Sequence, residues 1–181
     1  EVCTLDSDYN TFIICPGPNS ILLGYSLTFK KTVENRNKKY IIEEFTDLPV
    51  WVDTSSEFRY RNPKVGKECL VLAISQSGET ADTLAGLREA KAKKALTLTI
   101  CNVLGSSLSR EAKGVIYTHA GPEIAVASTK AYTAQLTVLY LLGFYFAGIF
   151  KALPQARIRR LLKEFFQIPS KMQNVLDLYK K

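Results

Sequence analysis

Of the 181 residues only one, His119, is a histidine. A metal centre would have to be built from carboxylates, and no acidic cluster has the spacing for one. The sequence therefore implies no metal and no cofactor. The four cysteines, Cys3, Cys15, Cys69 and Cys101, contain no C-x-x-C pair. That removes zinc-ribbon and dithiol-redox readings. Cys15, Cys69 and Cys101 adjoin apolar runs and are expected to be buried, reduced thiols. No G-K-S/T, no G-x-G-x-x-G and no G-x-S-x-G occurs, so the P-loop, dinucleotide and hydrolase-elbow signatures are all missing. The first ten residues, EVCTLDSDYN, are acidic and polar, unlike a signal peptide. The expected location is the cytoplasm.

Hydrophobic residues make up 46% and charged residues 23%, a globular rather than a disordered composition. The length suits one domain that buries a core without staples. The net charge of +7 raises the question of nucleic acid. The cations, however, are spread over several segments. Arg157, Arg159, Arg160 and Lys163 alternate with Ile158, Leu161, Leu162, Phe165 and Phe166 as the polar face of an amphipathic helix. Lys30, Lys31, Arg36, Lys38 and Lys39 are denser but carry no aromatic stacking pattern. No nucleic-acid partner is expected, while attraction of an anionic small molecule is retained.

Short β-rich runs alternate with helical patterns. Strands are expected at residues 11–15 (TFIIC), 50–52, 69–74 (CLVLAI), 96–100 and 115–118. A turn at 16–20 should lead into a helix ending near Asp47. A helix is expected over 81–94, with Leu84 and Leu87 on one face and cations near its end. This alternation argues for an α/β three-layer αβα sandwich with a parallel sheet of about five strands. Residues 131–150 (AYTAQLTVLYLLGFYFAGIF) contain no charge and approach the ~20 residues that span a bilayer. Five soluble-looking units precede them, so a buried helix and no membrane is the reading taken. Burial all round calls for cover from another subunit or domain. Residues 1–150 read as one domain, and 151–181 as C-terminal helices packed on it or leading onward.

What is abundant is small and polar. The loop Ser75-Gln76-Ser77-Gly78-Glu79-Thr80 lies between an apolar strand and a helix. Open α/β sheets bind ligands at the carboxyl ends of strands. A helix N-terminus there offers unpaired N–H groups to an anion, phosphate above all. Ser75, Ser77 and Thr80 add neutral donors, and Gly78 lets backbone approach the ligand. Glu79 and Asp82 fall in the first turn, where negative side chains favour the helix. The competing reading is that Ser77 merely caps the helix. A second loop, residues 121–129 (GPEIAVAST), precedes the apolar helix at the same end of the sheet. There Ser128 or Thr129 could cap the helix or meet a ligand, Glu123 could serve as acid or base, and His119 is expected at the surface.

SQSGETADTL at 75–84 resembles the phosphosugar-binding loop of the sugar isomerase (SIS) domain family. SEFRYR at 56–61, NVLGSSLSRE at 102–111 and AGPEIAVASTKAYTAQL at 120–136 follow in order. Together they resemble, within that family, the first SIS subdomain of the glutamine–fructose-6-phosphate aminotransferases. The resemblance is close over 49–142 and loose in the C-terminal helices. It implies a flavodoxin- or Rossmann-like SIS fold and a module that binds fructose 6-phosphate or glucosamine 6-phosphate for isomerisation in amino-sugar biosynthesis. It implies a homodimer, with a glutaminase domain or a second SIS domain as further partners. By the same resemblance Ser75, Gln76, Ser77 and Thr80 hold the sugar phosphate, Val126 approaches the sugar through its backbone, and Ser128 shares that loop.

The chain departs from the pattern in three places. Ala125 stands where glycine is usual. Residues 15–20 (CPGPNS) occupy the place of the family's C-G-T-S motif, with only Cys15 matching. Residues 21–38 are longer than the usual connection. The resemblance reaches neither the glutaminase region nor the second SIS subdomain, which carries the family's catalytic residues, so the catalytic residues here are unknown. A stand-alone SIS phosphosugar isomerase and a non-catalytic phosphosugar sensor are the alternatives.

Overall fold

The structure, a computed structural model, describes residues 11–14, 21–24, 40–123 and 129–179. The order is β1 (Thr11–Ile14), β2 (Ile21–Gly24), a helix α1 at residues 40–45, β3 (Val50–Thr54), α2 (Ser55–Tyr60), β4 (Leu70–Ser75), α3 (Ala81–Ala92), β5 (Leu96–Cys101), α4 (Ser107–Glu111), β6 (Gly114–Tyr117), α5 (Thr129–Ile149), α6 (Gln155–Phe166) and α7 (Ile168–Leu178). These elements form one sheet in the order β1-β3-β2-β4-β5-β6. β2 runs parallel to β3 and β4, and β4, β5 and β6 continue parallel. Helices on both faces make the three-layer αβα sandwich.

The parallel part has the five strands expected, but its membership differs. β1 (TFII) is antiparallel to β3, pairing Thr11 with Thr54 and Ile14 with Trp51. Residues 15–20 separate β1 from β2, and a parallel crossover needs about a dozen residues or more. The chain can only double back. The innermost parallel slot is filled by β2, whose Ile21, Leu22 and Leu23 register with Leu70, Val71 and Leu72. β2 thus occupies residues where a helix was expected to begin. With β3 on one side and β4 on the other, β2 marks the point where the strand order reverses. Crevices for ligands open there, beyond the carboxyl ends of the strands.

β4 is apolar at successive positions because both its faces are covered: Val71, Leu72, Ala73 and Ile74 are all buried. On one face α3 packs with α2 and α4, bringing Leu87, Ala90, Phe58 and Leu108 into the core. Elsewhere α1 meets α5, where the Phe45 and Phe144 rings lie 4.8 Å apart edge to face and Gly143 lets the α1 backbone approach. Cys69 and Cys101 are buried free thiols. Burial pushes the Cys101 thiol up, against a weaker pull from the Ser106 hydroxyl. Cys3 and Cys15 lie outside the described residues.

Lys130–Ile149 is long and apolar enough to cross a membrane by length and composition. Its Ala131, Leu139, Leu142, Phe144 and Ala147 nevertheless lie in the core. Within this chain one side of the helix is left for the cover expected from another subunit or domain. Every fourth residue, Thr133, Thr137, Leu141, Tyr145 and Ile149, faces outward. Four is close to the 3.6-residue turn, so these positions form one stripe along the helix. Leu139 lies opposite that stripe and Leu142 beside it, both buried within the chain itself. α6 packs its Ile158 against the core and turns Arg157, Arg159 and Arg160 outward. α7 lays Ile168, Met172, Val175 and Leu176 open at the surface.

Candidate functional site

β4 ends at the buried Ser75, and the chain turns sharply. The Ser75 Oγ accepts from Gly78 N at 2.9 Å, and the Ser77 Oγ accepts from Glu79 N at 3.1 Å. Gly78 adopts a φ of +69°, which favours glycine. A Cβ on Gly78 would stand 2.3 Å from Ser106 Oγ, so any other side chain would force Ser106 to shift. α3 then begins at Ala81 behind Thr80, an extended N-cap residue whose side chain makes no cap bond. Capping is therefore not what Ser77 and Thr80 do for α3: Ser77 bonds within the turn. The start of α3 lies at the crevice with its helix dipole directed outward.

The structure gathers Ser75, Gln76, Ser77 and Thr80 into this one turn, with Ser75 buried and the other three half-buried. The two nearby carboxylates are turned away from it. Asp82, in the first turn of α3, pairs with Arg59 at 3.2 Å. Glu79 sits before the helix rather than in its first turn, which corrects the expectation. Its Oε1 accepts from Ser107 N at 2.6 Å. Ser107's hydroxyl and amide hold the Glu79 carboxyl below the usual range, with Arg110 adding a smaller pull. Both carboxylates are thus bonded away from the turn, whose Gly78 and Glu79 N–H groups donate to the Ser75 and Ser77 hydroxyls.

The loop after β5 braces the turn from the side. Asn102 N donates to Gln76 O at 3.1 Å, and Leu108 N donates to Gly78 O at 3.0 Å. Asn102 also fastens the segment after β6. Its Oδ1 accepts from Thr118 Oγ1 at 3.0 Å and Ala120 N at 2.8 Å, and its Nδ2 donates to Gly121 O at 2.7 Å. Gln76, Asn102, Val103, Leu104, His119 and Pro122 line an open, shallow cavity of about 390 Å³ beside the turn. His119 is exposed, as expected. Glu123 accepts from Ala131 N at 3.0 Å and so caps α5. The sequence offered it as acid or base, and offered Ser128 or Thr129 as cap or ligand contact. Val126 and Ser128, with Ala125, lie outside the described residues.

Residues 56–61 have a concrete place. Thr54 caps α2 by accepting from Glu57 N at 3.3 Å, and Phe58 is fully buried. The Ser55 and Thr83 hydroxyls meet at 3.4 Å across the α2–α3 interface. With Arg59–Asp82, this seats α3 at its N-terminal end. Arg61 lies 2.5 Å from Asp53 Oδ2 as an ion pair without an aligned hydrogen bond. Burial pushes the Asp53 carboxyl up, and Arg61 offsets part of that. A raised folded-state pKa makes Asp53 favour folding below its unfolded pKa, and that contribution is lost as pH rises. Asp53→Asn is thus expected to gain stability relative to the native chain as pH rises through the carboxylate range. Urea midpoints compared at acid and at neutral pH test this, and a constant difference would refute it.

The SIS domain sequence pattern matches residues 36–144. A glutamine–fructose-6-phosphate aminotransferase (isomerizing) from Clostridium tetani is 53% identical over 139 residues, 77% of this chain and 23% of that protein. Its counterpart from Caldanaerobacter subterraneus subsp. tengcongensis is 54% identical over the same shares. Among solved structures, the C-terminal domain of glucosamine-fructose-6-phosphate aminotransferase from Francisella tularensis superposes with a TM-score of 0.75 at 40% identity, covering 80% of this chain and 41% of that one. The chain spans less than a quarter of the length of the two full-length relatives.

Proposed function

The chain belongs to the SIS domain family, and from that premise we propose that it binds fructose 6-phosphate or glucosamine 6-phosphate as the sugar-phosphate module of an isomerising aminotransferase in amino-sugar biosynthesis. The observation that carries this reading is the turn at 75–80. It stands at the carboxyl end of β4, beside the strand-order reversal, and opens α3 with no side-chain cap from Thr80. Both neighbouring carboxylates are bonded elsewhere. In this reading Ser77, Thr80 and Gln76 hold the phosphate together with N–H groups at the start of α3. Ser75 shapes the turn from beneath, and Val126 and Ser128 meet the sugar.

Isomerisation moves a proton between neighbouring sugar carbons and needs a general base. Glu79 is engaged with α4 and Glu123 with α5. The base is therefore assigned to a partner, either a second SIS domain or another subunit, with ammonia supplied by a glutaminase domain. The exposed Leu141–Tyr145–Ile149 stripe on α5 favours a homodimer or a covering domain, in a protein of the cytoplasm. No nucleic acid, membrane, metal or cofactor enters the reading.

Calorimetric titration with glucosamine 6-phosphate, against unphosphorylated glucosamine, tests it. Saturable binding is expected for the phosphorylated sugar alone. Ser77→Ala and Thr80→Ala should each weaken it roughly 10-fold or more, the usual effect of losing a hydrogen bond to a charged group. Equal binding of both sugars, or of neither, overturns the reading. A stand-alone isomerase is the second reading, favoured by the cavity that already adjoins Gln76. It requires the chain by itself to turn over sugar phosphate.

A further inference from the structure

We propose that Glu79 is a positioning residue that docks the anion-binding turn onto the loop opening α4; this rests on the sugar-phosphate reading of residues 75–80. The bonds joining the two loops include three hydrogen bonds. Two use backbone on both sides, Asn102 N to Gln76 O and Leu108 N to Gly78 O. Among these three, the bond from Ser107 N to the Glu79 carboxylate is the one made by a side chain. The residue before α4, Ser106, makes no side-chain cap bond to that helix. Glu79 caps α4 from another βα unit instead.

The arrangement resolves an electrostatic conflict. A carboxylate in the middle of a lysine-free anion site repels the ligand unless it is held away. Docked on Ser107, the Glu79 charge faces the α4 N-terminus. Arg110 donates to the Ser107 hydroxyl at 3.1 Å. The one negative side chain between Ser75 and Thr80 thus fixes the geometry that the neutral donors need.

Two substitutions separate position from charge. Glu79→Gln keeps an oxygen to accept from Ser107 N and removes the charge, whereas Glu79→Ala removes both. Amide hydrogen exchange on the unligated chain reads the docking itself. The Ser107 amide should exchange roughly 10-fold faster in Glu79→Ala and stay near the native rate in Glu79→Gln. Titration with glucosamine 6-phosphate should show about 10-fold weaker binding for Glu79→Ala, and native or tighter binding for Glu79→Gln. If the two variants behave alike in exchange, or bind alike, the inference is overturned. If the native chain binds no sugar phosphate while Ser107 protection still depends on Glu79, the phosphate reading fails and the docking stands.

Discussion

Gly78→Ala is expected to cost about 2–4 kcal/mol of stability, the sum of a strained backbone and an overpacked contact. The φ of +69° is one that alanine adopts only with strain. The new methyl would also lie 2.7 Å from Ser106 Cβ, which no hydroxyl rotation relieves. Ser106 has little room to retreat, being 2% exposed and in contact with the Cys101 sulfur at 3.7 Å. The loops must separate, stretching the Leu108–Gly78 bond and the Glu79–Ser107 bond. The melting temperature should fall by roughly 5–15 °C for a domain of this size, and sugar-phosphate affinity should fall with it. Adding Ser106→Gly should restore the steric share and leave the backbone share. An unchanged melting temperature for Gly78→Ala would show that the two loops are not packed as described.

Leu139→Asp should yield no folded protein. Leu139 is fully buried in α5, and truncating a core leucine already costs about 2–5 kcal/mol before any charge is added. An unpaired carboxylate there adds several kcal/mol more, against a typical total stability of about 5–15 kcal/mol. Tyr145→Glu, one turn and a half further along, is the informative contrast. Tyr145 is 62% exposed on the outward stripe, so that variant should keep native circular dichroism. If the stripe is a subunit interface, size-exclusion chromatography should show the Tyr145→Glu chain at half the native mass. A Leu139→Asp chain with the native spectrum would contradict the packing of α5.

The parts of this fold set by local pattern were legible in the sequence. β4, β5 and β6 each carry β-branched or apolar runs bounded by turn residues, and the structure moves their limits by a residue. α3 and α6 follow from helical spacing. The membership of the sheet was not legible at its first edge. TFII and ILLG both form strands that pair with β4, and which of them runs parallel to it is set by the short connection between them and by long-range pairing. The candidate turn was legible as a cluster of hydroxyls and glycine. The roles of its carboxylates were not. First-turn placement predicted that Glu79 would serve α3, and tertiary structure gave it to α4, 28 residues away. Asn102 drew no attention as a side chain, since only the fold brings Gln76, Thr118, Ala120 and Gly121 around it.

The lateral bonds between the turn at 75–80 and the loop at 102–108 make the candidate turn part of the cooperative unit of the domain. Neither loop can open without breaking hydrogen bonds in a second βα unit, so partial unfolding that spares the core is disfavoured at this edge. A ligand held there binds the native ensemble as a whole, and its free energy is linked to global unfolding rather than to the ordering of one loop. On the sugar-phosphate reading proposed above, the donors would stand in place before the ligand arrives, with little conformational entropy left to lose on binding.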